Sequence, residues 1–424
     1  MAVGSGLSGS LGFAQETTPG VPVAVTRFFE FESETINIKK RTVQGVGVRG
    51  GALTRRGSRR VPVSRDAQGA VNFDAPTGSL GLVLQQMVGS FSTTATSIGG
   101  GLFQQIHNVG SVAGKSFTTQ IVRPDITGVL AQNAFTFTGC KVVDWTISAQ
   151  MNAQVKLSLS IDAQDAVTPS NNFAGTTLSA LVAAAATSIS TVATVPQGSY
   201  ILIGVGLTAE VLLTGVPSGA GPFTIPIVGT PVAYGHASGV AVTSATGVNP
   251  GAAATLQSPS YTSGLSIFAY DYAGSQLVAG GSTSVASGVW TNTGGTVVAN
   301  VRSVSIKGTR PVKNDRFGLG SAVKSEQIEN DYMTFAAALD VEYASPYFTQ
   351  NYLADVPLCV VLKFTSPVSG GYVQVFMPVA FQDDGAEPNV AGPDILIPKL
   401  NLAVLDDGVN GALQIVYVST DAAV

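Results

Sequence analysis

The chain has 424 residues, of which only 11% are charged, and its net charge is −4; an ordinary globular domain is about a quarter charged. Two cysteines exclude a disulfide framework and read as small buried apolar residues of a chain that folds in a reducing compartment. The opening MAVGSGLSGSLGFAQETTPG lacks the basic and apolar succession of a signal peptide, and the run 178–195 holds too much Ser and Thr for a membrane span, so neither export nor a transmembrane helix is expected.

From the N-terminus, strands are expected at 23–38 and 61–74. Around their junction stand Lys39, Lys40, Arg41, Arg49, Arg55, Arg56, Arg59, Arg60 and Arg65, with no acid among them. Outside this block thirteen bases face twenty-six acids. The block could neutralise phosphates, but it lacks the interleaved aromatics that stack on bases. An exposed hairpin tip that meets acids of another protein surface is therefore the first reading, nucleic acid the second and a plain solvated loop the third. The stretch TGSLGLVLQQMV (77–88) places Leu80, Val83, Leu84 and Met87 together behind a Thr cap, which predicts a short amphipathic helix.

In 142–161, Val143, Trp145, Ile147, Ala149, Met151, Ala153, Val155, Leu157, Leu159 and Ile161 alternate with polar residues that include Asp144 and Lys156. Period two over that length predicts a half-buried antiparallel strand, or a hairpin turning near Met151–Ala153. Residues 166–260 then change in composition. They are rich in Ala, Gly, Val, Thr and Pro and carry one charge, Glu210. Strand-like runs at SYILIGVG, AEVLLTG and PFTIPIVG mark this segment as a small inserted β domain, with 1–165 and 261–424 as two parts of one larger domain. Strands follow at 301–309 and 333–343, where Phe335, Leu339, Val341 and Tyr343 alternate with Asp340 and Glu342. A helix is expected at 345–355, opened by Ser345 and Pro346, and strands at 357–365, 371–381, 395–405 and 412–419. From Glu326 onward there are thirteen acids and only two bases, Lys363 and Lys399. A chain with a basic end and an acidic end can bind copies of itself head to tail, a contact that closes into rings or runs on into filaments.

Chemical motifs are weak. YILIGVGLTA (200–209) fits G-x-G-x-x-A, but Gly215 and Pro217 interrupt the helix that must follow, and no acid stands where a ribose needs one. GVGVRGG (45–51) fits as loosely and leads into arginines. DDGAEPN and DDGVNG read as hairpin turns first and as calcium loops second. His107 and His236 lack a zinc-ligand pattern, and no nucleophile, base and acid gather locally. No catalytic residue, metal or cofactor is expected, and the chain is not read as an enzyme.

The opening LGFAQETTPGVPVAVTRFFEFESETINIKK (11–40), the Arg-rich segment, FDAPTGSLGLVLQQMVGS (73–90), FTFTGCKVVDWTISAQMNAQVKLSLSI (135–161), the segment 301–343 and the closing 375–421 together resemble the major tail tube proteins of long-tailed (siphovirus-type) bacteriophages, particularly those infecting actinobacteria. The resemblance implies a mostly β fold of two packed antiparallel sheets with short flanking helices, to which 166–260 adds an exterior β domain. It implies hexameric rings stacked into a virion tail tube, assembled in the host cytoplasm. Its partners would be copies of itself, the tape measure protein, and tail terminator and tail tip proteins, with no membrane. Genomic double-stranded DNA would pass through the lumen without specific binding. On this reading Arg49, Arg55, Arg56, Arg59 and Arg60 are inter-ring contacts, and Asp144, Asp340 and Glu342 are candidates for the lumen wall. A secreted adhesin or S-layer-like protein shares the Gly/Thr/Ala texture but needs an export signal. A capsid decoration protein would give trimers or monomers on a shell rather than tubes.

Overall fold

The computed structural model describes residues 6–48, 51, 53–123, 134–167, 175–197, 199–244, 260–261, 268–270, 275–299, 301–319, 321–343, 345–366, 370–384, 387–390, 392–393 and 395–424. Strands dominate it. The principal elements, in chain order, are β1 (Ser10–Gln15), β2 (Asn37–Gln44), β3 (Arg60–Asp74), α1 (Gly81–Val88), β4 (Leu102–Asn108), β5 (Phe117–Val122), β6 (Ala134–Gln150), β7 (Lys156–Ala163), β8 (Tyr200–Ile203), β9 (Glu210–Thr214), β10 (Phe223–Val228), β11 (Val301–Thr309), β12 (Thr334–Val341), α2 (Tyr347–Leu353), β13 (Leu358–Thr365), β14 (Tyr372–Gln382), β15 (Lys399–Leu405) and β16 (Gln414–Ser419).

Antiparallel pairing runs β2–β3–β7–β6–β11–β12–β15–β14–β13. β14 also pairs with β16, and β16 with β4. The first half of β6 belongs elsewhere, pairing with β5, which pairs with β1. One long strand thus carries two sheets, and it bends where they part. At the bend Gly139 has φ +60, and a Cβ there would meet the Gln164 side chain at 2.5 Å, so glycine is required. Beyond the bend the register slips at Val142 and Ile161. This bulge turns Val142 into the core and leaves Val143 half-exposed, against the strict alternation expected from 142 onward. The β6–β7 hairpin turns at Met151–Ala153, as one of the two sequence readings had it.

The main core collects the inward residues of both sheets, among them Leu11, Phe13, Phe73, Trp145, Leu157, Leu339 and Tyr417. Trp145 lies against Gly308, whose Cβ would sit 2.3 Å from the indole, and its Nε1 donates to the Met87 carbonyl at 3.0 Å. α1 begins four residues later than its Thr signal, because Ser79 adopts φ 64 and ends any helix preceding it. All eight of its residues are buried. It is an enclosed core helix, not the amphipathic cover that its spacing predicts. α2 starts at Tyr347, with Pro346 in the capping position. The single strand expected over 23–38 is broken into Arg27–Phe29, Ser33–Glu34 and the start of β2. Among the described residues no helix is long and apolar enough to cross a membrane.

β8, β9 and β10 build a second sheet with Thr176–Thr177, Ser188–Thr191 and Ala241–Ser244. It has its own core, including Leu178, Ile189, Ile201, Ile203, Leu212, Ile225 and Val242. β8 and β9 form an antiparallel hairpin joined through a three-residue 3-10 turn at Gly206–Thr208, so the glycines of the G-x-G-x-x-A segment turn a hairpin and no helix follows them. Glu210, the lone charge of this segment, meets His236: Oε1 lies 2.6 Å from Nε2, and the carboxylate also accepts from the backbone of Ala233 and Tyr234.

Candidate assembly surfaces

β2 and the first residues of β3 leave the body as a two-stranded ribbon. Ile36 and Ala67 are buried at its root, whereas β2 and Arg60–Val63 are exposed almost throughout. Val43, Val46, Val48, Leu53, Val61 and Val63 stand in solvent with the cations. An isolated hairpin of this kind is marginal in water, and an exposed, partly apolar strand edge is a template for another chain. At the tip Gly45 N donates to Arg59 O at 3.0 Å and Gln44 Nε2 to Arg56 O at 2.9 Å. Arg55, Arg56 and Arg59, with Val48 and Leu53, line a shallow cup of about 270 Å³. Among the described residues none of Arg55, Arg56, Arg59 and Arg60 pairs with a carboxylate. Arg49 lies outside the described residues.

Two members of the basic block have carboxylate partners among the described residues. Arg65 makes a bidentate pair with Asp165 at 2.6 and 2.7 Å, and Arg41 reaches Asp66 at 3.3 Å while lying over the Phe317 ring. The free charge is therefore concentrated at the tip. The root is clamped by the connection between β11 and β12. Lys324, buried in that connection, donates to Asp162 at 2.6 Å and lies 3.9 Å from Asp66. Lys141 donates to Val112 O, Gln327 O and Glu326, and Arg310 pairs with Glu329. Burial pulls Lys141 and Arg310 below their ordinary pKa values, while their acid partners oppose it. Burial likewise raises Asp162, against Lys324. Charges this deep are expensive to unpair, so the connection is held to the body by matched pairs. Sequence reading missed all of them: the partners of Arg65, Lys141 and Lys324 lie roughly a hundred residues or more away, and the nearer pairs Arg41–Asp66 and Arg310–Glu329 share no local pattern.

The outward face of the main sheet is polar and built of small residues. One register row runs Lys156, Ser148, Ser305, Ala338, Asn401. Asp144 and Asp340 stand on this face, accepting from Thr309 Oγ1 at 2.7 Å and from Ser303 Oγ. Glu342 continues the same parity just beyond β12 and lies 3.7 Å from Arg302. Lys156, Lys307 and Lys399 share the face, with Lys399 opposite Asp340 in register. The three candidate acids therefore fall on one surface, but with three lysines interspersed that the sequence reading did not weigh. Lys156 was legible by parity alone, since it holds one of the polar positions of the 142–161 alternation.

The ETTPGVPV opening has a physical role at the bend of β6. Glu16 is buried, and its carboxylate accepts from Gly20 N at 2.8 Å, Ser116 Oγ at 2.5 Å, Thr118 Oγ1 at 2.9 Å and Gly139 N at 2.9 Å. One side chain thus fixes the end of β1, the start of β5 and the point where β6 changes sheet. In the DDGVNG turn, Asp407 accepts from the backbone of Val409, Asn410 and Gly411 and from the Asn410 side chain, as a turn-forming aspartate does.

The chain thus combines a body of two antiparallel sheets, one polar sheet face and an exposed cationic ribbon. Residues 6–216 match the family model described as phage tail tube protein, and the chain belongs to that family. The match covers β1 through β9 and thus runs into the small second sheet. No curated protein matches the chain. A tail tube component has a structural role in the virion.

Proposed function

We propose that this chain is the repeating subunit of a siphovirus-type tail tube, built as stacked hexameric rings. The observation that carries the reading is the pairing, in one subunit, of a protruding ribbon bearing Arg55, Arg56, Arg59 and Arg60 with an acid-rich C-terminal segment from Glu326 onward. A contact between unlike surfaces propagates, and ring-to-ring contact through the arginine tip would use this one. The small-residue polar sheet face would line the lumen, and neighbouring subunits would continue the sheet into a barrel, which removes its open edges. Such a channel would hold the tape measure protein and later conduct genomic DNA. Its interspersed Lys and Asp would keep the wall wet without a uniform field that retains phosphate. Residues 166–260 would form an exterior domain, a reading supported by the separate sheet and core between Thr176 and Ser244. Negative-stain microscopy of the purified chain tests the assembly, and reversal of Arg55, Arg56, Arg59 and Arg60 to Glu tests the contact. The variant should stay folded and fail to polymerise. Normal tubes from it would remove the arm from the ring-to-ring interface.

A further inference from the structure

The arm needs a receiving surface, and one end of the main sheet has the complementary chemistry. The Asn351 side-chain amide donates to Val356 O at 2.6 Å and lies 3.4 Å from Gln382 Oε1. This ties the end of α2 to the last residue of β14. Asp355 and Asp383, each next to one of those anchors, are thereby brought to the same end of the molecule. Asp384 is fixed beside them by the Asn401 side chain at 2.6 Å. Leu353 and Val356 are exposed, at 78% and 45%. Among the described residues neither Asp355 nor Asp383 pairs with a cation, and between Lys324 and Lys399 the only base in the sequence is Lys363. Acids beside exposed aliphatic side chains answer the arm tip, where arginines stand beside Val48 and Leu53.

β3 and β14 are six pairings apart in the strand order. The ribbon extends from the β2–β3 hairpin. Donor and receiver are thus different surfaces of one subunit, and a contact between unlike surfaces of two copies runs head to tail. We infer that the arm of one copy docks on the surface formed by Leu353, Asp355, Val356, Asp383 and Asp384 of a second copy. This rests on the reading of the arm as an inter-subunit contact and names the surface it meets.

Mixed-disulfide trapping in assembled protein tests the inference. The native thiols do not compete, since Cys140 and Cys359 are buried and burial pushes both thiols up, Cys359 to about 11. Copies carrying Arg56→Cys are mixed with copies carrying Asp383→Cys, assembled and oxidised. A mixed dimer is expected, and its loss when Asp383→Cys is exchanged for Asp406→Cys, a site elsewhere in the acidic C-terminal segment. An equal yield with both partners, or none with either, overturns the inference. Charge exchange separates it from the reading beneath it. Arg55→Glu, Arg56→Glu, Arg59→Glu and Arg60→Glu together should abolish pelleting of polymer, and adding Asp355→Lys, Asp383→Lys and Asp384→Lys to the same chain should restore it. If the arm variant still pellets as wild type does, the arm reading fails and the inference with it. If pelleting is lost, is not restored and no mixed disulfide forms, this surface is wrong while the arm remains an interface.

Discussion

Glu16 shows how one side chain sets the geometry of a whole sheet junction. Three of its hydrogen bonds are buried and the one from Gly20 N is partly so, and removing the acceptor leaves the donors of Gly20, Ser116, Thr118 and Gly139 without a partner. Glu16→Ala should therefore destabilise the subunit by roughly 3 kcal/mol or more, measured by urea unfolding. Glu16→Gln should lose less, because it keeps one acceptor oxygen. His107 makes a second residue-scale prediction, concerning pH. It is fully buried, its Nδ1 lies 2.7 Å from Ser90 Oγ, and burial lowers its pKa to about 3. The unfolded chain protonates this imidazole near pH 6.5 and the folded chain does not, so the unfolded state binds more protons between those values. Stability must fall as pH drops through that window, by roughly 3 kcal/mol at pH 4 from this group alone. His107→Asn should flatten that part of the pH profile. An unchanged slope would mean that His107 takes up its proton without unfolding.

At the scale of elements, periodicity was a good guide wherever one strand face meets water. The 142–161 hairpin and the parity of Asp144, Asp340 and Glu342 followed from alternation, because period two leaves no choice of face once the core side is known. It was a poor guide where the environment is the same on every side. β5 is buried along its whole length and so shows no alternation to read, and α1 is enclosed all round although its spacing resembles a surface helix. The bulge at Val142 is a third kind of case. It exists to redirect β6 after Gly139, a demand set by the second sheet rather than by the local residues. The arm was legible as a charged, exposed hairpin tip, although its first strand, Asn37–Gln44, runs past the expected end at 38. Its strands pair only with one another beyond the root, so it should contribute little to folding. Replacing residues 45–59 with Asn-Gly, a favoured hairpin turn, should leave the unfolding midpoint near wild type and abolish polymerisation. A large drop in the midpoint would show that the tip folds back on the body.

At the scale of the molecule, two regions meet different requirements. The second sheet has its own core, and Glu210, its one charged residue, is partly buried beside His236. Replacing 166–260 with a short Gly/Ser linker is expected to give tubes of reduced outer diameter by microscopy. Unfolding of the remaining body would show that the segment belongs to its core. The polar face of the main sheet sets the final expectation. Asp144, Asp340 and Glu342 share it with Lys156, Lys307 and Lys399, and Arg302 lies beside Glu342, so the two signs are interspersed. Converting the three acids to Lys leaves six cations and no balancing acid among these positions. The hydrogen bonds from Thr309 and Ser303 are lost as well, at about 1 kcal/mol each, a modest cost for an assembled tube. In a confined channel the same change raises the attraction for phosphate along the entire path, because every ring repeats it. Virions carrying the triple variant should therefore assemble and then release DNA more slowly, with the delay shrinking as salt is raised. A tube map that places these three side chains on the outer surface, or release at the wild-type rate at low salt, would remove this face from the lumen.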